Sequence, residues 1–116
     1  MYKIAHTALA GLHAAETRLA VRANNISNAF TPAFEPDQVH QTAVPDQGPF
    51  VQVTRGGIPE GYVNPPNGFG FIATGNKVNL AAEMTDFVMA EISYKANLAV
   101  LKSASDLEKE SIEILT

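Results

Sequence analysis

The residues that first invite a chemical reading are His6 and His13, seven apart near the N-terminus, with Glu16 three positions further on. A His, His, Glu set can be drawn as a metal site, but the spacing argues against it. Helical ligand pairs sit at i,i+3 or i,i+4. Two imidazoles at i,i+7 lie about 10 Å apart, too far for one ion bound at roughly 2 Å per bond. These three are therefore polar positions beside an apolar stripe. The run Gly70-Phe-Ile-Ala-Thr-Gly75-Asn-Lys77 approaches the phosphate-cradling pattern G-x-x-x-x-G-K-[ST], yet Lys77 comes one residue late and Val78 offers no hydroxyl for magnesium. A turn leading to a helix N-cap at Asn79 is the plain reading. Ser27, Ser93, Ser103, Ser105 and Ser111 all fall in helical segments without a nucleophile elbow or a nearby base. Asn25-Ile26-Ser27 has the form of a glycosylation acceptor, but inside a helix it is a poor one. No catalytic residue, metal ligand or cofactor site is expected.

One stretch does stand apart. ANNISNAFTPAF, residues 23 to 34, interrupts an apolar-periodic segment with Asn24, Asn25 and Asn28 and then stops it at Thr31-Pro32. Asparagine tolerates the left-handed conformation that ends helices, which suits Asn28, and Pro32 prevents the helix from resuming. Asn24 and Asn25 carry donors and acceptors that could satisfy backbone groups of the following arm or of an adjacent subunit. Plain solvation of a helix end is the competing explanation.

The elements that must position this junction follow from composition. The chain has 116 residues, no cysteine and a formal charge of -4, so disulfides, thiolate catalysis and cysteine metal sites are excluded together. Charge is uneven: +2 over residues 1 to 28, -2 over 29 to 78 and -4 over 79 to 116. No basic cluster offers the footprint that a nucleic acid or an anionic membrane requires. No apolar stretch approaches the roughly 18 residues of a membrane span, and the first residues lack the apolar core of a cleaved signal peptide.

All seven prolines and seven of the eight glycines lie between residues 32 and 75. Because proline and glycine cost a helix interior about 3 and 1 kcal/mol, their absence elsewhere predicts long helices at both ends. The expected organisation is an N-terminal helix over 1–30, an irregular arm with short strands over 31–78, and a C-terminal helix over 79–116, all in one structural unit. Strands or extended pieces are predicted at 38 to 44, 49 to 54 and 69 to 74. A spacing of alternate fours and threes links Leu9, Leu12, Leu19 and Ile26 in the first helix and Leu80, Met84, Phe87, Tyr94, Leu98 and Leu101 in the last. A mean period of 3.5 is that of a coiled-coil seam, so these residues are predicted to pack within the chain. The fold class is thus mostly α, a coiled-coil-like antiparallel hairpin of two long helices joined by an irregular middle.

The helices differ in length, about 40 Å against about 54 Å, which leaves two to three turns of the last helix without a partner. That helix also carries a second stripe, Val88, Ile92, Val100, Leu107 and Ile114, divided from the first by Lys95, Lys102, Asp106, Lys109 and Glu113. Two apolar faces predict burial from two directions. With no third helix in the sequence, the second stripe is predicted to meet other subunits.

ANNISNAFTPAF is similar to the A-[NS]-N-[LI]-[AS]-N-x-x-T-P-G-[YF] signature of the bacterial flagellar rod and hook proteins. KVNLAAEM (77 to 84) and SYKANLAVLKSASDLEKESIEIL (93 to 115) resemble the corresponding C-terminal pattern of that family. The likeness covers both ends of the chain, and among the members it is greatest to the proximal rod proteins of the FlgC type. Ala33 stands where the family usually has glycine. The resemblance implies a structural, non-enzymatic subunit of the basal-body rod in the periplasm, exported through the flagellar type III apparatus and polymerising helically through its terminal helices. Its partners would be copies of itself and other rod proteins, with no nucleic acid, small-molecule substrate or membrane insertion. A small soluble helical-hairpin module that binds one partner helix is the alternative.

Overall fold

The computed structural model describes residues 2–63 and 75–116. Two long helices, α1 (Tyr2–Ser27) and α2 (Leu80–Leu115), lie against each other, with a two-stranded antiparallel hairpin, β1 (Gln38–Val44) and β2 (Gly48–Thr54), between them in the chain. The mostly α expectation and both hairpin strands agree with this; the stretch at 69 to 74 falls outside the described residues. Among the described residues, no helix is long and apolar enough to cross a membrane.

Asn79 caps α2 as its residue type predicts. It holds an extended backbone, and its side chain accepts from the Ala82 N–H at 3.2 Å, satisfying one of the orphan donors of the first turn. In the hairpin, Val44 faces Gly48 across a three-residue loop in which Asp46 takes a left-handed conformation with φ 63°. The loop is tethered to the start of α1 by Lys3 and Asp46 at 2.8 Å, an exposed pair of little energetic consequence. The hairpin rests on α1 through β2, where Gly48 lies against Thr7 and Ala10. Ala14 and Val21, buried, continue that same helical face.

The helix seam differs from the one predicted. Leu9, Leu80, Met84 and Leu98 are 36 to 54% exposed. Leu12, Leu19, Ile26, Phe87, Tyr94 and Leu101 are only half-buried. On α1 the line of closest approach is Ala8, Gly11, Ala15, Arg22 and Asn25, one residue back from the predicted set, a rotation of about 100°. On α2 it includes Glu83, Ala90, Asn97 and Ala104, with Phe87, Tyr94 and Leu101 alongside. The reason is side-chain size. Where small residues face each other the helix backbones approach more closely, and the larger leucines and isoleucines are displaced to the flanks. Six of the eight buried apolar residues are alanines, and the other two are Val21 and Phe34. A core of such side chains removes little apolar area per residue from water.

Candidate functional site

The amide junction is where the directional bonding of the described structure is concentrated. Asn25 lies fully buried near the end of α1. Its Oδ1 accepts from the Asp37 N–H at 2.9 Å and its Nδ2 donates to the Asp37 carbonyl at 2.9 Å, so one side chain satisfies both backbone groups of the residue that opens the hairpin. The same Nδ2 donates to Glu83 Oε2 at 3.1 Å, which brings in the first turn of α2. Three elements converge on one amide.

Around it the charges are arranged to compensate each other. Arg22, one turn before Asn25, places Nη1 3.3 Å from Glu83 Oε1 and 3.2 Å from Oε2, and its Nη2 lies 3.3 Å from Asp86 Oδ2. Glu83 is buried, and so stripping its carboxylate of water is offset only by Arg22 and the Asn25 amide. Asp37, also buried, accepts from the Gly56 N–H at 2.7 Å and from Arg55 Nη1 at 3.4 Å, with Asn24 Nδ2 at the limit of reach, 3.5 Å. The chain after β2 is thereby held close: Glu35 and Gly57 exchange backbone bonds of 2.8 and 2.7 Å. A Cβ on Gly56 would meet the Glu35 carbonyl oxygen at 2.1 Å, so only glycine fits there.

Asn28, Thr31 and Pro32 build the other half of the junction. Asn28 Nδ2 donates back to the Asn24 carbonyl at 2.9 Å, and Thr31 Oγ1 meets Asn28 Oδ1 at 3.1 Å. From the far side Asn76 Nδ2 donates to the carbonyls of Asn28, at 2.9 Å, and Thr31, at 2.7 Å, while its Oδ1 accepts from the Val78 N–H at 2.8 Å. Lys77 joins the same strap, its N–H donating to the Phe34 carbonyl at 3.0 Å and its Nζ to Glu35 Oε1 at 2.8 Å. The left-handed residue is not Asn28. It is Ala33, with φ 58°, buried just after the half-buried Pro32. Ala33 thus keeps a conformation that glycine would favour, despite its methyl group.

Sequence reasoning identified the amides and missed their partners. Arg22, Asp37 and Glu83 carry no local signature, and Asn76 stands out only as part of the run ahead of the Asn79 cap. A usable signal was present. Arg22 and Asn25 continue the line of Ala8, Gly11 and Ala15, so a small-residue seam ends in two polar groups that need partners.

The five residues predicted to meet other subunits, Val88, Ile92, Val100, Leu107 and Ile114, are 45 to 83% exposed along α2. Beyond Ala104 every residue of α2 is exposed, about three turns of helix, with Ile112 and Leu115 adding to the apolar surface. His6 and His13 are both exposed on α1, and His13 Nδ1 lies 3.4 Å from Glu16 Oε2. Among the described residues, no group of three histidine, aspartate or glutamate side chains is placed to hold a metal ion.

What this construction is similar to can be stated for one part of the chain. Residues 6–34 match the family model of the flagella basal body rod protein. The matched span runs from the second turn of α1 through the amide junction to Phe34, and so contains Asn24, Asn25, Asn28, Thr31 and Pro32. It is a quarter of the chain, and α2 lies outside it. No curated protein matches the chain.

Proposed function

We propose that this protein is a structural subunit of the bacterial flagellar basal-body rod, most like its proximal members, and that it carries no enzymatic activity. Two supports meet here: the rod-protein match over residues 6–34, and an α2 whose apolar residues stay uncovered in the single chain. The second carries the assembly reading. Val88, Ile92, Val100, Leu107 and Ile114 form a stripe too long for scattered surface residues, and removing it from water stabilises a polymer by roughly 25 cal/mol per Å² of apolar area covered.

In this role α1 and α2 form the inner layer of the polymer and pack on neighbouring copies and on other rod proteins. The junction at Asn24, Asn25, Asn28, Thr31 and Pro32 fixes the direction in which the hairpin leaves that layer. The chain reaches the periplasm through the flagellar type III apparatus, and its partners are proteins.

Val100→Glu is the direct test, because Val100 is 45% exposed in the single chain and belongs to the uncovered stripe. The variant should be exported at the normal level and fail to enter isolated basal bodies, leaving cells non-motile. Normal incorporation of the variant overturns the assignment. A stable, fully helical monomer that captures one partner helix in a 1:1 complex and does not enter basal bodies would instead establish a helical-hairpin binding module.

A further inference from the structure

An alanine seam poses a problem of uniqueness. Ala8 and Ala15 on α1 and Ala90 and Ala104 on α2 are buried in the seam, and a slip of about one turn either way brings alanine opposite alanine. Burial of methyl groups alone therefore distinguishes poorly between axial positions. Something in the seam must choose.

Within it lies Gly11, the one glycine of α1 and a buried residue. A Cβ at Gly11 would lie 2.5 Å from Asn97 Oδ1, 2.7 Å from Cγ and 2.8 Å from Nδ2, so the amide lies flat against bare backbone. That amide is not free to swing aside. Its Nδ2 donates to the Ser93 carbonyl at 2.8 Å, and turning it away breaks this bond. Helix propensity gives no reason for the glycine, since alanine is the better residue in a helix interior. The space that Asn97 occupies does.

We propose that Gly11 and Asn97 are the register-selecting contact of the helix pair, a steric filter that admits α1 in one axial position only. A slip by three or four residues in either direction sets a Cβ of Thr7, Ala8, Ala14 or Ala15 against the amide. The register it selects coincides with that of the junction. Fourteen residues, two heptads, separate Gly11 from Asn25 on α1, and the same number separate Glu83 from Asn97 on α2, so both contacts are satisfied together. Asn97 is the asparagine of the SYKAN stretch and is accounted for by nothing else in the fold. The half of α1 furthest from the junction is thereby aligned by a contact of its own, and with it the length of α2 left uncovered.

The absence of native cysteines makes the test clean. Ala5 and Ser105 line one groove at the far end of the pair, and the double substitution Ala5→Cys with Ser105→Cys gives a cross-link with a short bis-maleimide, each thiol adding across one maleimide double bond, that reports docking of α1 on α2. In that background Gly11→Ala should slow cross-linking about tenfold while helical content by circular dichroism holds or rises, because the added methyl overpacks the seam yet favours the helix. Adding Asn97→Ala should restore the rate to within about twofold of the parent, as expected when the two substitutions are coupled through direct contact. That rescue separates steric rejection from a general loss of folding. The proposal is overturned if Gly11→Ala cross-links like the parent, if Asn97→Ala fails to restore it, or if the parent does not cross-link at all.

Discussion

Asn25 makes three hydrogen bonds from complete burial, and its value lies in what its removal would strand. Asn25→Ala leaves the Asp37 N–H and carbonyl without these partners away from water and removes one of the two donors to Glu83 Oε2. The expected cost is about 3 kcal/mol, read as a lower midpoint in urea unfolding. Asn25→Asp sets a third carboxylate beside Asp37 and Glu83 and should cost at least as much. Ala33 gives the opposite sign. Its left-handed backbone costs an alanine about 1 kcal/mol, so Ala33→Gly relieves strain while adding unfolded-state entropy and losing a buried methyl. The two nearly cancel, and the melting temperature should move by only a few degrees. Ala33→Val, with a branched side chain at positive φ, should cost about 2 kcal/mol in the same measurement. At this scale the sequence was informative about types and silent about partners. Three asparagines before Thr31-Pro32 announce a junction, because amides in an apolar helix need donors and acceptors nearby. That the partners are Asp37, Glu83 and Asn76 depends on how the chain returns, which no local pattern encodes.

Helices and hairpin were legible from where proline and glycine are excluded, and the Asn79 cap from a residue type that accepts the N–H of a first turn. The seam was misread for a physical reason. Counting large apolar residues favours Leu9, Leu12, Met84 and Leu98, whereas close approach favours Ala8, Gly11, Ala90 and Ala104, and the shorter distance determined the rotation of both helices. Phe87, Tyr94 and Leu101 belong to both versions of the stripe, so the error on α2 was smaller than on α1. Truncating α2 after Ser105 tests the division of labour between its two parts. The helix pair, hairpin and junction lie before that point and should keep their hydrogen-exchange protection, whereas entry into basal bodies should be lost with the exposed terminal turns. Arg22→Met belongs to this scale too, since Arg22 bridges the end of α1 to both Glu83 and Asp86. Leaving Glu83 buried without its cation should cost about 3 kcal/mol in urea unfolding, more than the loss of any exposed pair such as Lys3–Asp46.

For the whole molecule the unequal distribution of bonds matters more than their number. Polar contacts between elements crowd the end where the last turn of α1 meets the base of the hairpin and α2, while the other end is held by alanine, glycine, one well-placed amide and the exposed Lys3–Asp46 pair. Such a structure has a grain, like wood that splits from one side. Thermal opening should begin at Tyr2 and run toward Asn25, peeling the first helix away while the amide knot stays closed. Amide exchange along α1 should therefore slow progressively from the first turns to the last. A load applied across the knotted end would be borne by bonds with fixed directions, and the loose end would be free to find its seat on whatever lies beside it.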